Sequence, residues 1–173
     1  MKIIRVFVLT IILLFLNAPS MFGQFSAPSL PQRTGTIMAT QALHFGDITI
    51  VSGSSGGTVT VSHSGMRSST GNVILLNLGS VARQAIFEYK LCPGRMVNIT
   101  YPAFITLTGQ NGGTITLQPG PTNFGPSGAS FISNKGCDDI HYIHMGGTID
   151  VRGISANPGG LYTGSINITF IQQ

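Results

Sequence analysis

Short segments in which apolar and polar residues alternate recur along most of the chain, and this repetition constrains the fold more than any other feature of the sequence. Within Gly57–His63, for example, Val59 and Val61 alternate with threonine and serine. Because successive side chains of a β-strand point to opposite faces, such a segment buries one face and leaves the other in water. Glycine, proline, asparagine or serine separates one segment from the next. The pattern predicts strands over Thr36–Phe45, Ile48–Val51, Gly57–His63, Asn72–Leu76, Ala85–Leu91, Met96–Tyr101, Phe104–Thr108, Gly113–Leu117, Gly147–Val151 and Ser165–Ile171.

Many short strands joined by glycine-rich turns predict an all-β fold, and we expect an antiparallel β-sandwich. The segment closest to a helical period is Val81–Tyr89, and its β-branched and aromatic surroundings favour a strand. A membrane barrel is the competing fold, but its aromatic girdles would have to be built from four tyrosines and no tryptophan. Charged residues make up only 8% of the chain, which argues against coiled coils, helical bundles and nucleic-acid-binding modules.

The N-terminus has the layout of a secretory signal peptide. Lys2 and Arg5 precede an apolar run over Val6–Leu16, and small or turn-forming residues follow it. The alternative is a membrane anchor, but a run of about 11 apolar residues is short for a span that needs roughly 20. We therefore predict a signal peptide over residues 1–23, with cleavage before Gln24, and no transmembrane segment after its removal.

Export would place the mature protein in the periplasm, at the cell surface or outside the cell, in a Gram-negative bacterium. Residues 24–35 contain Pro28 and Pro31 and are predicted to be an extended arm or linker, followed by a single sandwich domain over residues 36–173. Without Lys2 and Arg5, seven basic residues remain against five acidic ones. This small excess gives no basic patch for nucleic acid or for an anionic membrane surface.

Cys92 and Cys137 are the two cysteines of the chain. In an oxidising compartment an even number of cysteines indicates a disulfide, and only one pairing is possible here. The alternative is two free thiols or half of a metal site. We predict a Cys92–Cys137 disulfide.

A pattern of two glycines followed by an alternating segment occurs three times, over Gly56–Val61, Gly112–Leu117 and Gly146–Val151. The intervals differ, so the pattern is not a repeat of fixed length. Two glycines supply a turn that needs positive φ, and a β-branched strand follows directly. We predict a tight turn at each pair.

From about Ala42 to Gln172 the chain resembles domain-of-unknown-function family 4402, a group of exported bacterial domains with a pilin-like or Ig-like β-sandwich. The resemblance rests on motifs in order: LHFGDI from Leu43, GGTVTVSHSGMRSSTGNVILL from Gly56, NITYPAFITLTGQNGGTITL from Asn98, MGGTIDV from Met145 and NPGGLYTGSINITFIQ from Asn157. It implies a secreted surface or fimbria-related structural role. The strand and turn residues that carry it are Gly46, Gly57, Gly65, Arg67, Gly71, Gly94, Gly147, Tyr162, Gly164 and Phe170.

The C-terminal segment resembles the terminal strand of pilins that assemble by β-strand addition, since Ile166, Ile168 and Phe170 alternate along one face. The other interpretation is the last strand of a self-contained sandwich. A donor arm needs alternating large apolar residues, and Phe25, Ala27 and Leu30 with prolines between them form a poor one. This favours a complete domain, or polymerisation by another route.

Motifs for catalysis or metal binding are weak. The segment Gly53–Gly57 fits the G-x-S-x-G pattern of a hydrolase, but strand-like residues on both sides predict a hairpin loop. Asp138, Asp139, His141 and His144 resemble a metal cluster. On a strand, however, residues three apart point to opposite faces, so the two histidines could not share one ion, whereas Asp139 and His141, two residues apart, could. We expect no enzymatic activity, no cofactor and no metal.

Two functions remain after these considerations. The first is a structural or adhesive subunit of the cell envelope, related to fimbriae, whose partners are other copies of itself or related subunits bound by β-strand addition. The second is a monomeric binding module, for instance for surface glycans, which would use the loops Ser52–Gly57, Gln110–Gly113 and Gly120–Gly128. Phe124 is the one aromatic residue in these loops.

Overall fold

The computed structural model describes residues 35–173, and the predicted signal peptide and nearly all of the predicted arm lie outside this part of the chain. Among the described residues every regular element is a strand. The strands are β1 (Thr36–Gln41), β2 (Ile48–Ile50), β3 (Gly56–Val61), β4 (Arg67–Gly71), β5 (Val73–Leu75), β6 (Ala85–Lys90), β7 (Met96–Thr100), β8 (Ile105–Gly109), β9 (Thr114–Thr122), β10 (Ser130–Ile132), β11 (His141–Arg152), β12 (Tyr162–Thr163) and β13 (Thr169–Gln172).

The largest sheet is organised around β11. On one edge of β11, its first half pairs with β6 and its second half with β3, while β9 occupies the other edge. The order continues from β9 through β8 to β12, and β1 and β4 lie outside β6 and β3. This sheet curls into a half-barrel. With twelve residues, β11 is long enough to pair with two strands one after the other along the same edge.

Two smaller sheets are also present, β2–β5 and β10–β7–β13, and all the pairings are antiparallel. One hydrophobic cluster includes Val59, Leu117 and Ile149 of the main sheet together with Val73 of β5. The other includes Tyr89 and Ile143 of the main sheet together with Val97, Ile99 and Phe131 of the β10–β7–β13 sheet. The predicted all-β, antiparallel sandwich is confirmed.

The pair Gly146 and Gly147 lies in the middle of β11, where the sequence had predicted a turn. Neither residue has positive φ. A Cβ at Gly146 would overlap the carbonyl oxygen of Val61, and one at Gly147 would lie 2.9 Å from Leu43 and 3.0 Å from Leu117. These glycines therefore allow close packing at a register shift in β11, between Met145 and Gly147.

The sequence prediction also missed or misplaced strands at the periphery. It did not include β4, β10 or β12, and the last strand begins at Thr169 instead of Ser165. In β4 the sequence RSSTG contains no large apolar residue, so it shows no alternation of apolar and polar positions. The strand is an exposed edge next to β3. Short strands such as β10 and β12 give too few residues for a period to be read.

Candidate functional site

One side of the sandwich ends in two strands that each have an unpaired edge. Within the described part of the chain, β1 pairs with β6 alone and β13 pairs with β7 alone. The two strands come together at one point, where the backbone N–H of Gly35 donates to the side-chain oxygen of Gln172 at 3.3 Å. We call β1 and β13 together the open edge.

The hydrophobic interior is incompletely covered at the open edge. Phe87 of β6 and Phe170 of β13 contact each other with ring centroids 5.9 Å apart, and both remain only half-buried. Ile37 of β1 and Ile171 of β13 are exposed. A further strand along this edge would bury apolar surface in addition to forming backbone hydrogen bonds.

The free hydrogen-bonding groups of β13 can be assigned from its pairing. The N–H of Gln173 donates to the carbonyl of Met96 in β7 at 2.9 Å. Because alternate residues of an antiparallel strand direct their N–H and C=O groups to opposite sides, those of Phe170 and Gln172 point away from β7. These are the groups that an added strand would meet.

Neither strand of the open edge contains a charged residue or a proline; their sequences are TIMATQ and TFIQ. Natural proteins protect exposed edges with such residues, or with bulges, to prevent pairing with other chains. β1 has a register shift between Ala39 and Gln41, and β13 pairs with β7 in continuous register. The edge of β13 is therefore chemically unprotected.

Arg67 holds together the segments around β2. Its guanidinium donates to the carbonyl of Leu76 at 3.1 Å and to the carbonyl of Asp47. Desolvation lowers the Arg67 pKa, and the nearby Asp47 carboxylate opposes this shift. A Cβ at Gly46, where φ is +72°, would lie 3.0 Å from the guanidinium. Arg67 and Gly46, two of the motif residues, therefore have a structural role, and we call the hydrogen-bonded arrangement of Arg67 the Arg67 clamp.

The remaining motif residues are spread over the molecule and form no common site. Gly57 and Gly71 face each other across the β3–β4 pair, and Gly65 lies in the turn between these strands. Gly94 lies in the turn between β6 and β7. Tyr162 donates to the carbonyl of Pro158 at 2.7 Å, and Gly164 packs closely on Leu107 of β8. Phe170 alone belongs to the open edge.

The disulfide between Cys92 and Cys137 is present. It joins the turn after β6 to the loop before β11, and in that loop the Gly136 N–H donates to the Asp139 carboxylate at 2.9 Å. His141 stacks on Tyr89 with ring centroids 4.9 Å apart, whereas His144 lies beside the exposed Tyr142. The two histidines thus face opposite sides of β11. No group of three His, Cys, Asp or Glu residues that could hold a metal ion occurs within residues 35–173.

The segment that fits the hydrolase pattern and the loops considered for glycan binding have the following positions. Ser54 and Ser55 lie in the loop between β2 and β3, with strands on both sides. Phe124 stacks on Phe131 with ring centroids 4.1 Å apart, so one face of its ring is already occupied. Phe104 and Tyr142 also have exposed aromatic rings, and the sequence analysis assigned neither of them to a binding site. For Tyr142, the alternation with the buried Ile143 was the available signal.

No helix among residues 35–173 has the length and the apolar character needed to cross a membrane. The family model described as Domain of unknown function (DUF4402) matches residues 36–171. No curated protein and no solved structure matches the chain.

Proposed function

We propose that this chain, which belongs to the DUF4402 family, is a non-enzymatic structural or adhesive subunit of the cell envelope that joins a second subunit by β-strand addition at the open edge. The subunit would be exported by its N-terminal signal peptide and would act in a fimbria-related assembly at the cell surface.

The observation that carries the proposal is the half-buried Phe87–Phe170 pair at the open edge, where β1 and β13 each have a neighbour on one side only. An added strand supplies backbone hydrogen bonds for affinity, and its alternate side chains fill the apolar positions for specificity. The neutral sequences of β1 and β13 present no charge to repel an incoming strand.

A substitution at Gln172 tests the proposal, because its N–H points to the free side of β13. Gln172→Pro removes this donor and leaves the pairing of β13 with β7 in place, since proline is tolerated at the outer edge of a sheet. Gln172→Ala is the matched control, because it removes the same side-chain contact to Gly35 and keeps the N–H. The exported protein is purified and its mass is measured by light scattering over a range of concentrations, with negative-stain microscopy of the largest species.

We expect the unaltered protein and Gln172→Ala to form dimers or filaments as concentration rises, and Gln172→Pro to remain monomeric. The proposal fails if all three proteins stay monomeric, or if the proline variant assembles as the others do.

A second candidate function is a monomeric carbohydrate-binding module, and the exposed Tyr142 favours it. The register places Tyr142 beside Glu88 and, one strand further, Met38, all on the outer face of the main sheet. An exposed ring next to a carboxylate is suited to stacking and hydrogen bonding with a sugar. This function requires a monomer that binds a glycan array and loses that binding in Tyr142→Ala with its fold unchanged.

A further inference from the structure

The inner face of β1 is left uncovered by the opposite sheet. Ile37 pairs with Tyr89, and Ala39 pairs with Phe87. Because directly opposite residues of an antiparallel pair share a face, Ile37 and Ala39 lie on the same face as two side chains of the hydrophobic interior. Both are nevertheless exposed, and 38% of the Ile37 surface is open to solvent. Within residues 35–173, no strand covers this part of β1.

The uncovered place lies beside β13. Phe170 of β13 contacts Phe87 of β6, so β13 faces β6 across the interior and β1 lies one strand further out. A strand added to the free side of β13 would therefore lie over Ile37 and Ala39. Of the four residues of β13, Phe170 and Gln172 direct their N–H and C=O groups to that side. We call this place the strand gap; a donor of about four residues, with two inward side chains, fills it.

The strand gap admits a single strand and excludes the edge of a second folded sheet. If β13 of another copy paired here, it would bring its own β6 and β1 beneath it, into the space that β1 of the first copy occupies. The protruding β1 therefore blocks a symmetric contact between two β13 strands. The occupant has to be a segment with no sheet of its own around it.

We propose that residues 24–29 of a second copy fill the strand gap; the inference rests on the strand addition proposed above and names the added strand. The segment reads QFSAPS, and like β1 and β13 it has no charged residue. Over its full length the predicted arm is a poor donor, because prolines interrupt it. The strand gap needs only two inward side chains, however, and Phe25 and Ala27 supply them.

The position of Pro28 is compatible with antiparallel pairing to β13. In such a pair, residues that exchange hydrogen bonds lie opposite each other and share a face. Phe25 then pairs with Gln172, and Ala27 pairs with Phe170, with all four side chains on the inner face. The small side chain of Ala27 thus meets the large ring of Phe170. Pro28 faces away from β13, on the outer edge, where its missing N–H has no partner to lose.

This direction makes the assembly head-to-tail. β13 runs towards the end of the molecule where Gln172 meets Gly35, so the antiparallel donor leaves the strand gap at the opposite end, near Thr169. Residues 29–34 then connect it to Gly35 of its own copy, and as an extended segment with proline they span about 19 Å. Each copy gives its arm at the Gly35 end and receives one from a copy at the Thr169 end. Contacts of this heterologous kind build open filaments.

Disulfide trapping tests the donor and its register. Ser26 and Ile171 would lie opposite each other as a pair without hydrogen bonds, with Cα atoms about 4.5 Å apart, which suits a disulfide. Ser26→Cys and Ile171→Cys are made in separate chains, recovered after export, concentrated together and oxidised mildly. Ser26→Cys with Ile132→Cys is the control, because Ile132 is also exposed but lies on β10, beyond β7. Peptide mapping identifies each cross-link, and mass spectrometry records the N-terminus.

We expect the cross-link between positions 26 and 171 to be at least about tenfold more abundant than the control cross-link, since only the first pair is held opposite. Equal yields of the two cross-links overturn the proposal. The double variant Ser26→Cys/Ile171→Cys separates a second copy from the same chain. It should give cross-linked multimers, and a monomer with the link inside one chain would show that the arm fills its own strand gap and that the proposal is wrong.

Charge substitutions in the arm supply the second measurement. Phe25→Asp and Ala27→Asp should each weaken assembly at least about tenfold by light scattering, because the strand gap would have to bury a carboxylate. Ser26→Asp is the matched control; its side chain points outward, and it should assemble as the unaltered protein does. If Gln172→Pro prevents assembly and the two inward aspartates do not, strand addition stands and this donor is wrong. If the unaltered protein stays monomeric, both proposals fail.

Discussion

At the scale of single residues, Gly146 shows how closely β11 approaches β3. A Cβ at this position would overlap the carbonyl oxygen of Val61 and lie 2.7 Å from the carbonyl carbon of Ser62, both of them backbone atoms. We expect Gly146→Ala to lower the free energy of unfolding by about 1–3 kcal/mol, because the strands must move apart to accept the methyl group. Chemical denaturation measures the change.

Gly159→Ala is the matched control, since no atom lies within 4 Å of a Cβ at that position and its φ is not in the left-handed region. It should leave stability unchanged or raise it slightly. Equal stability of the two variants would mean that β11 and β3 are further apart than the structure shows.

Burial of Tyr89 makes the fold sensitive to alkaline pH. Desolvation raises the pKa of its hydroxyl above the ordinary value of 10.0. A group whose pKa is raised in the folded state contributes stability that is complete below the unfolded pKa and is lost as pH rises through the folded pKa. We therefore expect the melting temperature to fall above about pH 10.

Tyr89→Phe should reduce that fall, and Tyr142→Phe, which alters an exposed tyrosine, should leave it in place. Tyr101 contributes in the same direction, because burial raises its pKa while a backbone hydrogen bond from Ser127 opposes the shift. If the melting temperature of Tyr89→Phe falls as steeply as that of the unaltered protein, the Tyr89 hydroxyl is solvated.

The roles of individual residues could be predicted only in part from the sequence. The disulfide followed from the number of cysteines and the predicted export. The clamp formed by Arg67 could not be predicted, because its acceptors are backbone carbonyls of Asp47 and Leu76, and a sequence does not show where carbonyls point. Likewise, Gly146 and Gly147 look the same in sequence as glycines of a turn, although they allow strand contact.

At the scale of elements, β1 differs from the other long strands because it buries almost nothing. Its first five residues are exposed and it has one neighbour, whereas β11 has neighbours on both edges. In dilute monomer we expect the amides of β1 to exchange with deuterium much faster than those of β11, since weakly packed strands open locally. Exchange followed by mass spectrometry measures this, and equal protection of the two strands would contradict it.

Strands with an alternating pattern were predicted with nearly correct positions, and those without one were not. β3, β6 and β7 each place buried residues on one face, so their period is visible. β4 is polar throughout, and β12 has two residues, so their pairing with β3 and β8 depends on tertiary contacts alone. The extension of β11 back to His141 was missed because the predicted turn at Gly146 ended the segment there.

At the scale of the whole molecule, the antiparallel sandwich follows from the number and spacing of alternating segments, and the sequence was sufficient to predict it. The open edge was not predictable. Which strands end a sheet depends on topology, and β1 and β13, the first and last strands of the described residues, meet through Gly35 and Gln172.

Amide exchange at single residues of β13, measured by NMR at low and at high protein concentration, tests strand addition most directly. In the monomer the N–H groups of Phe170 and Gln172 point to the free edge and should exchange quickly, while those of Thr169 and Ile171 point towards β7 and should exchange slowly. When the protein assembles, we expect Phe170 and Gln172 to become protected with the other two unchanged. If assembly leaves Phe170 and Gln172 in fast exchange, the subunits join somewhere other than at the open edge.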